Sequence, residues 1–457
     1  MKIATLFLAL LLLTCTAGTQ PLAAQALPQR NPTVEEIVRN ISPERIRANI
    51  EKLVSFGTRH SLSATDNPTR GIGAARNWIK SELEHSSQAS GDRLKVEFDP
   101  FEVAPAPRVP QKTIFMNVVA TLEGESTPER IFVVGGHYDS RNSEALDATA
   151  DAPGANDDGS GTAVVLELAR VLSRYRFPST IVFIAFAGEE QGLYGSKHWA
   201  SRAREKDLHV IAMLNNDIVG NSRGGSGIVN NTEVRVFSEG VPPNETPEQA
   251  RLRIGTGNEN DSASRQLSRY IAEQTRRYVS HFDARLMYRR DRYLRGGDHI
   301  PFNEAGFAAV RFTEPNEDYN HQHQTIRTEN GVRYGDLADF VSPDYIAQVA
   351  RVNAATLASL ALASAQPENV RLLATKLEND TTLEWDAVAD SNLAGYEIVL
   401  RETNAPEWQR KIFVGNVTRH TLEGISKDNY QFGVQAVDTE GNESLVTFPH
   451  PVTTPRE

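Results

Sequence analysis

The chain has 457 residues, with 48 Lys and Arg against 59 Asp and Glu, a formal charge of −11 and 23% charged residues. That acidic balance argues against nucleic acid as a partner. The length suggests two or three domains and ample material for a large core. The one cysteine, Cys15, lies near the N-terminus. Beyond that segment the chain has no disulfide and rests on its core and any bound metal.

Residues 1–26 read as a secretory signal. Lys2 supplies the positive start, Ile3 to Leu13 the apolar run, and Ala24-Gln25-Ala26 a small-residue cleavage site. The apolar run is shorter than the ~20 residues a spanning helix needs, so no stable membrane span is expected. Leu-Leu-Thr before Cys15 is a poor lipidation signal. The expected location is secreted or periplasmic.

Apolar residues at helical spacing run from Thr33 to Phe56, with a helix start at Ser42-Pro43-Glu44, and again over 71–86. The polar loop 55–68 between them contains His60, read as a loop residue rather than a ligand. Residues 96–103 and 113–124 read as strands. Next comes the stretch that organises the chain. Ile131 to Gly136 is an apolar run ending at His137, and Thr180 to Gly188 is another ending at Glu189. Between them Gly161 to Tyr175 has the pattern of an amphipathic helix. Strand, helix, strand predicts parallel strands, with the ligand site beyond their carboxyl ends. Residues 195–204 predict a helix and 209–220 a further buried strand ending in Asp217. Residues 221–260 read as a long insertion with a short strand-like segment at 233–240. A helix over 262–280, a turn into a short helix at 296–306, a strand at 307–314, a histidine-rich loop at 318–331 and a helix over 343–365 complete the region. The expected fold is α/β, a mostly parallel central sheet with helices on both faces.

His137, Asp139, Asp157, Asp158, Glu189 and Glu190 all fall at strand ends or in the loops after them. Such acids converge without evident Lys or Arg partners, and a bound cation is the simplest compensation. A two-metal hydrolase needs a bridging carboxylate, terminal ligands for each ion and a separate base. His137 is a candidate terminal ligand, and Asp139 is placed to orient its ring. Asp157 is the candidate bridge. Of Glu189 and Glu190, taken as pointing to opposite sides, one can bind metal and the other act as base. Asp217 and a histidine of the 318–331 loop complete the set. Imidazole and carboxylate without thiolate suit zinc and also admit cobalt or manganese. No Gly-Lys-Ser/Thr follows the glycines near 154–161, and no GxSxG elbow occurs, so a P-loop and a serine hydrolase have no support.

From Gln366-Pro367 the composition changes to short alternating strands separated by turns, an all-β sandwich pattern over 367–457. Trp385, Tyr396 and the alternating Tyr430, Phe432, Val434 and Ala436 make this tail resemble a fibronectin type III domain. It carries no catalytic constellation. Spacing, substrate presentation or adhesion to a surface or polymer are the roles left open.

Residues 35–365 resemble the two-zinc secreted aminopeptidase family, which also contains glutamate carboxypeptidase II. The blocks GGHYDS, GANDDGSG, AGEEQGLYGS, NNDIVG, GGDHIPF and the late histidine loop stand in the family's order. The resemblance implies two Zn²⁺ per chain, one held by His137 and Asp217, the other by Glu190 and a late histidine, with Asp157 bridging. It implies Glu189 as general base and a cis peptide between Asp157 and Asp158. The late loop departs from the family's pattern by offering both His321 and His323. His323 is favoured because Thr325 and Glu329 follow it more closely, and His299 is the runner-up ligand. The implied activity is hydrolysis of N-terminal peptide bonds in peptides or proteins with a free N-terminus. The alternatives on the same fold are a glutaminyl cyclase-like acyltransferase, which needs one zinc, and a non-catalytic receptor-like ectodomain. The expected division is 1–26 signal, 27–365 peptidase unit and 367–457 tail.

Overall fold

The computed structural model describes residues 30–453. The expected signal segment and Cys15 therefore lie outside the described residues. Helices α1 (Pro32–Arg39), α2 (Pro43–Val54) and α3 (Ile72–Ala89) come first. Asn31 and Ser42 cap the first two through their side chains, with proline at the first helical position. Next follow strands β1 (Leu94–Val103), β2 (Thr113–Leu122) and β3 (Thr127–His137), helix α4 (Gly159–Leu172), strand β4 (Ser179–Phe186), helices α5 (Glu189–Gly192) and α6 (Tyr194–Glu205), and strands β5 (Val210–Asn216) and β6 (Glu233–Ser238). The region ends with α7 (Pro247–Thr256), α8 (Ala263–Tyr278), β7 (Asp283–Met287), α9 (His299–Glu304), β8 (Ala309–Thr313), a small hairpin of β9 (Arg327–Glu329) and β10 (Val332–Tyr334), and α10 (Pro343–Leu362).

One eight-stranded sheet runs in the order β1-β2-β4-β3-β5-β8-β6-β7. The four central strands, β4, β3, β5 and β8, are mutually parallel. β1 and β2 pair antiparallel at one side, and β6 meets β8 antiparallel at the other. Side chains alternate across the sheet. Phe132 and Val134 of β3 enter the larger core with α4 and α10. Val133 enters a smaller core on the opposite face with Trp199 of α6 and Phe302 of α9. Both faces are thus covered, as the apolar runs require. Gly161 lets α4 approach the end of β5: a Cβ there would lie 2.1 Å from the carbonyl oxygen of Asn216.

The stretch 221–260 differs from its reading as an insertion. β6 belongs to the main sheet, and β7 beside it was not expected. β7 has only five residues, two of them exposed, and α7 buries none of its residues. Neither leaves the apolar period that identifies an element in sequence.

The tail forms two sheets. β11 (Arg371–Leu373), β12 (Thr381–Glu384), β15 (Arg419–Leu422) and β17 (His450–Val452) make one, in the order β15-β12-β11-β17. β13 (Leu393–Glu402), β14 (Arg410–Gly415) and β16 (Tyr430–Asp438) make the other. Trp385, Tyr396, Phe432 and Val434 fill a core of their own between the sheets. The tail docks on α8 and the turn before it through buried and partly buried charge. Arg401 sends one nitrogen to both oxygens of Asp261, each at 2.7 Å, and Arg269 reaches the same carboxylate at 2.9 Å. Glu443 meets Arg277 at 2.8 Å and Lys411 at 2.7 Å, while Lys411 also pairs with Glu273. Leu445 of the tail enters the larger core of the first region.

Candidate metal centre

The parallel strands deliver the functional side chains to one sheet edge. His137 is the last residue of β3, and Asp217 follows the last residue of β5. After β4 the chain turns through Gly188 in the left-handed region (φ 75°), so Glu189 and Glu190 stand in the first turn of α5. They are therefore helix neighbours, about 100° apart around the axis, not strand residues on opposite sides. Asp157 precedes α4, the peptide to Asp158 is cis, and His323 comes from the loop after β8.

Two ligand clusters share one carboxylate. His137, Asp157 and Asp217 bring one ligand atom each within 4.8 Å of one another, and so do Asp157, Glu190 and His323. Oδ1 of Asp157 lies 3.2 Å from His137 Nε2, while its Oδ2 lies 2.9 Å from His323 Nε2. His323 Nε2 is 3.0 Å from Glu190 Oε1, and His137 Nε2 is 3.9 Å from Asp217 Oδ1. All are buried except His323, which is partly open to solvent.

Neighbouring residues hold this arrangement. Asp158 belongs to neither cluster. It caps α4 through Gly161 N–H, accepts the N–H of Ile218 after β5 and accepts the N–H of His137. The Asp139 carboxylate accepts the N–H groups of Gly188, Glu189 and Glu190 and the hydroxyl of Ser61. It lies 3.6 Å from His137 Nδ1, whose hydrogen bond goes to the Asp139 carbonyl at 3.1 Å. The backbone of Asp139 thus orients the ring, while its side chain fixes the turn that carries both glutamates.

The acids are not without arginines, contrary to the sequence reading. Arg311 of β8 is fully buried and reaches Asp217 Oδ1 at 2.7 Å, and Arg141 reaches Glu190 Oε2 at 2.8 Å. An arginine inside an otherwise apolar strand is the signal that could have pointed to Arg311, since a buried guanidinium demands a carboxylate. Even so, carboxylates outnumber cations here. Burial opposes charge on His137, yet Glu189, Asp139, Asp157 and Asp217 hold its pKa well above the ordinary imidazole value. Burial pushes Glu189 and Asp158 well above the carboxylate range, and neighbouring acids add to the push. A divalent cation reverses that tendency by favouring every ionised carboxylate around it. Two His-carboxylate sets joined by one carboxylate are a donor arrangement that fits a pair of such ions.

The alternative ligands lie elsewhere. His321 stacks on Phe340 with ring centroids 3.6 Å apart and belongs to neither cluster. His299 is buried with Nε2 against the carbonyl of Arg290 at 2.8 Å. His60 is buried too, bonded to the Ala145 carbonyl, as a loop residue would be.

Comparison with known proteins places this geometry. Residues 117–342 match peptidase family M28. A protein of Leptosphaeria maculans described as a probable zinc metalloprotease is 46% identical over 424 residues, covering 93% of this chain and 98% of that one. One from Pyricularia oryzae with the same description is 47% identical over 417 residues, covering 90% and 83%. Among solved structures, the LapA aminopeptidase of Legionella pneumophila aligns with a TM-score of 0.51 at 22% identity, covering 72% of this chain and 75% of that one. A glutaminyl cyclase of Macrostomum lignano aligns at 0.52 and 18% identity, covering 73% and 94%. At those identities the likeness is one of fold.

Proposed function

The chain belongs to peptidase family M28, and from that premise we propose that it is a secreted zinc aminopeptidase hydrolysing N-terminal peptide bonds. The observation that carries the reading is Asp157, whose two oxygens face different histidines in two otherwise separate clusters. In this reading His137 and Asp217 hold one Zn²⁺, Glu190 and His323 hold the other, and Asp157 serves both. The two ions, when bound, supply Lewis acidity toward the scissile carbonyl and a water of lowered pKa. Glu189 belongs to neither cluster and is the general base. It takes the proton of the attacking water and delivers it to the leaving amine. Asp139 is a positioning residue: it holds the N–H groups of both glutamates, so base and ligand keep their spacing. A substrate with a free α-ammonium group is the remaining requirement of this reading.

Residues 1–26 are the proposed export signal and 27–365 the peptidase unit, with 367–457 a fibronectin type III-like tail whose proposed partner is a surface or polymer. Among the described residues no helix is long and apolar enough to cross a membrane. Two complete ligand sets favour the hydrolase over a one-zinc cyclase. The test is a panel of aminoacyl-arylamides and of peptides with free and acetylated N-termini, each with and without chelator. Cleavage restricted to free N-termini and abolished by chelator is expected. Rapid internal cleavage of the acetylated peptides would make it an endopeptidase, and cyclisation of N-terminal glutamine with one zinc would make it a cyclase.

A further inference from the structure

Asp157 serves both clusters, so whatever fixes its backbone fixes the spacing between them. Two buried groups grip the loop that carries it. Asp336 Oδ1 accepts the N–H of Asn156 at 2.8 Å, and its Oδ2 accepts the N–H of Asp157 at 2.7 Å. The carbonyl oxygen of Asp336 accepts the N–H of Ala155 at 3.3 Å. Three successive amides thus end on one residue. From the other side Arg59, also fully buried, donates to the carbonyls of Tyr138, Pro153 and Gly154. Gly154 leaves no room for another arrangement: its φ is +53°, and a Cβ there would lie 2.6 Å from the carbonyl oxygen of Asp157.

Asp336 does not stand on a neighbouring element of the Asp157 loop. It follows β10, at the end of the excursion from β8 that carries His323, and Gly335 N–H closes that excursion on the carbonyl of Asn320. One carboxylate therefore ties the loop bearing the shared ligand to the loop bearing the partly exposed histidine. A carboxylate is needed because two N–H donors point at it side by side. An amide would present its NH₂ to one of them and leave a buried donor unpaired.

We propose that Asp336 is a positioning residue for the metal centre, clasping the Asp157 backbone and coupling it to the loop of His323. The proposal rests on the two-metal reading of the site. Outer partners of metal ligands are commonly worth about 10–100-fold in metal affinity. Asp336→Asn, which keeps the shape and removes one acceptor, is therefore expected to lower zinc affinity by about 10–100-fold in a chelator competition, with excess zinc restoring turnover and KM little changed. Asp339→Asn, on an exposed carboxylate three residues on, is expected to match the unmodified chain.

A second measurement does not depend on how the variant folds. Hydrogen exchange in the unmodified full chain should rise together in segments 155–158 and 320–337 when zinc is stripped. Unchanged zinc affinity in a folded Asp336→Asn chain would overturn the coupling, as would exchange responses confined to one segment. If the unmodified chain binds no zinc at all, the reading beneath the proposal fails first, and that result is distinct from either of these.

Discussion

Two of the places where the molecule buries charge are built differently. At the tail interface Asp261 faces Arg269 and Arg401, while Glu273 and Glu443 face Arg277 and Lys411. Each of these three carboxylates has a cation in contact. Around His137 the acids of both clusters, with Asp139, Asp158 and Glu189, outnumber the cations that meet them among the described residues, Arg141 and Arg311 beside the imidazoles of His137 and His323. A balanced set closes on itself and serves packing, since each ion is compensated where it is buried. A set in surplus is stable only with something positive added. Balance thus separates buried charge that is structural from buried charge that is poised for a ligand.

The largest effect should come from breaking the surplus side without touching a ligand. Glu189→Gln is expected to keep both metals and most substrate affinity while turnover falls by about 10²–10⁴-fold, the range for losing a positioned acid–base group. Steady-state kinetics beside elemental analysis checks this. Metal loss in Glu189→Gln but not in Glu190→Gln would reverse the two roles.

The balanced side should respond in stability instead. Arg401→Met leaves buried Asp261 with Arg269 alone, and losing hydrogen bonds to a charged group while one partner remains costs about 1.5–3 kcal/mol of unfolding free energy. Denaturant melts should show that loss while turnover per folded molecule stays unchanged. A chain ending at Gln366 lacks no ligand and should keep metal and turnover on small arylamides where it stays folded. Its melting should fall, because Leu445 and the paired cations leave with the tail. A folded, metal-loaded but inactive truncated chain would show that the tail helps to form the site.

Glu317 sharpens the contrast because it is a balanced acid close to the unbalanced site. Against burial, Arg292 and Arg295 hold its carboxyl down to about 2. A folded-state pKa below the unfolded one stabilises the protein above the ordinary carboxylate value and ceases to do so as pH falls toward 2. The shift corresponds to about 3 kcal/mol. Melting followed from pH 5 to pH 2 should show that loss, and Glu317→Gln should flatten the slope. Glu190→Gln removes a proposed ligand and is expected to weaken one metal position by no less than the ~10–100-fold that outer partners of ligands are worth, with partial recovery in added zinc.

Much of this was legible in the chain. The apolar runs ending at His137 and before Glu189 marked two strands and the sheet edge, because buried parallel strands must read as continuous apolar stretches. His323 was preferred over His321 from its neighbours, and the geometry places it in a cluster while His321 stacks on Phe340. Long-range charge was not legible. Arg311 meets Asp217, Arg59 meets the 153–154 loop and Asp336 meets Asp157 across separations that no local period encodes. The tail's own core was visible in the alternation around Phe432, but its docking on α8 depends on single charged residues scattered through both regions.

The surplus charge at the sheet edge calls for bound metal. Elemental analysis of the full chain purified without chelator, repeated after stripping and re-addition of zinc, measures that directly. Two divalent ions per chain, one of them weakened by Glu190→Gln and the other by Asp217→Asn, is the predicted result. No bound metal, or a single tightly held ion that neither substitution disturbs, would contradict it.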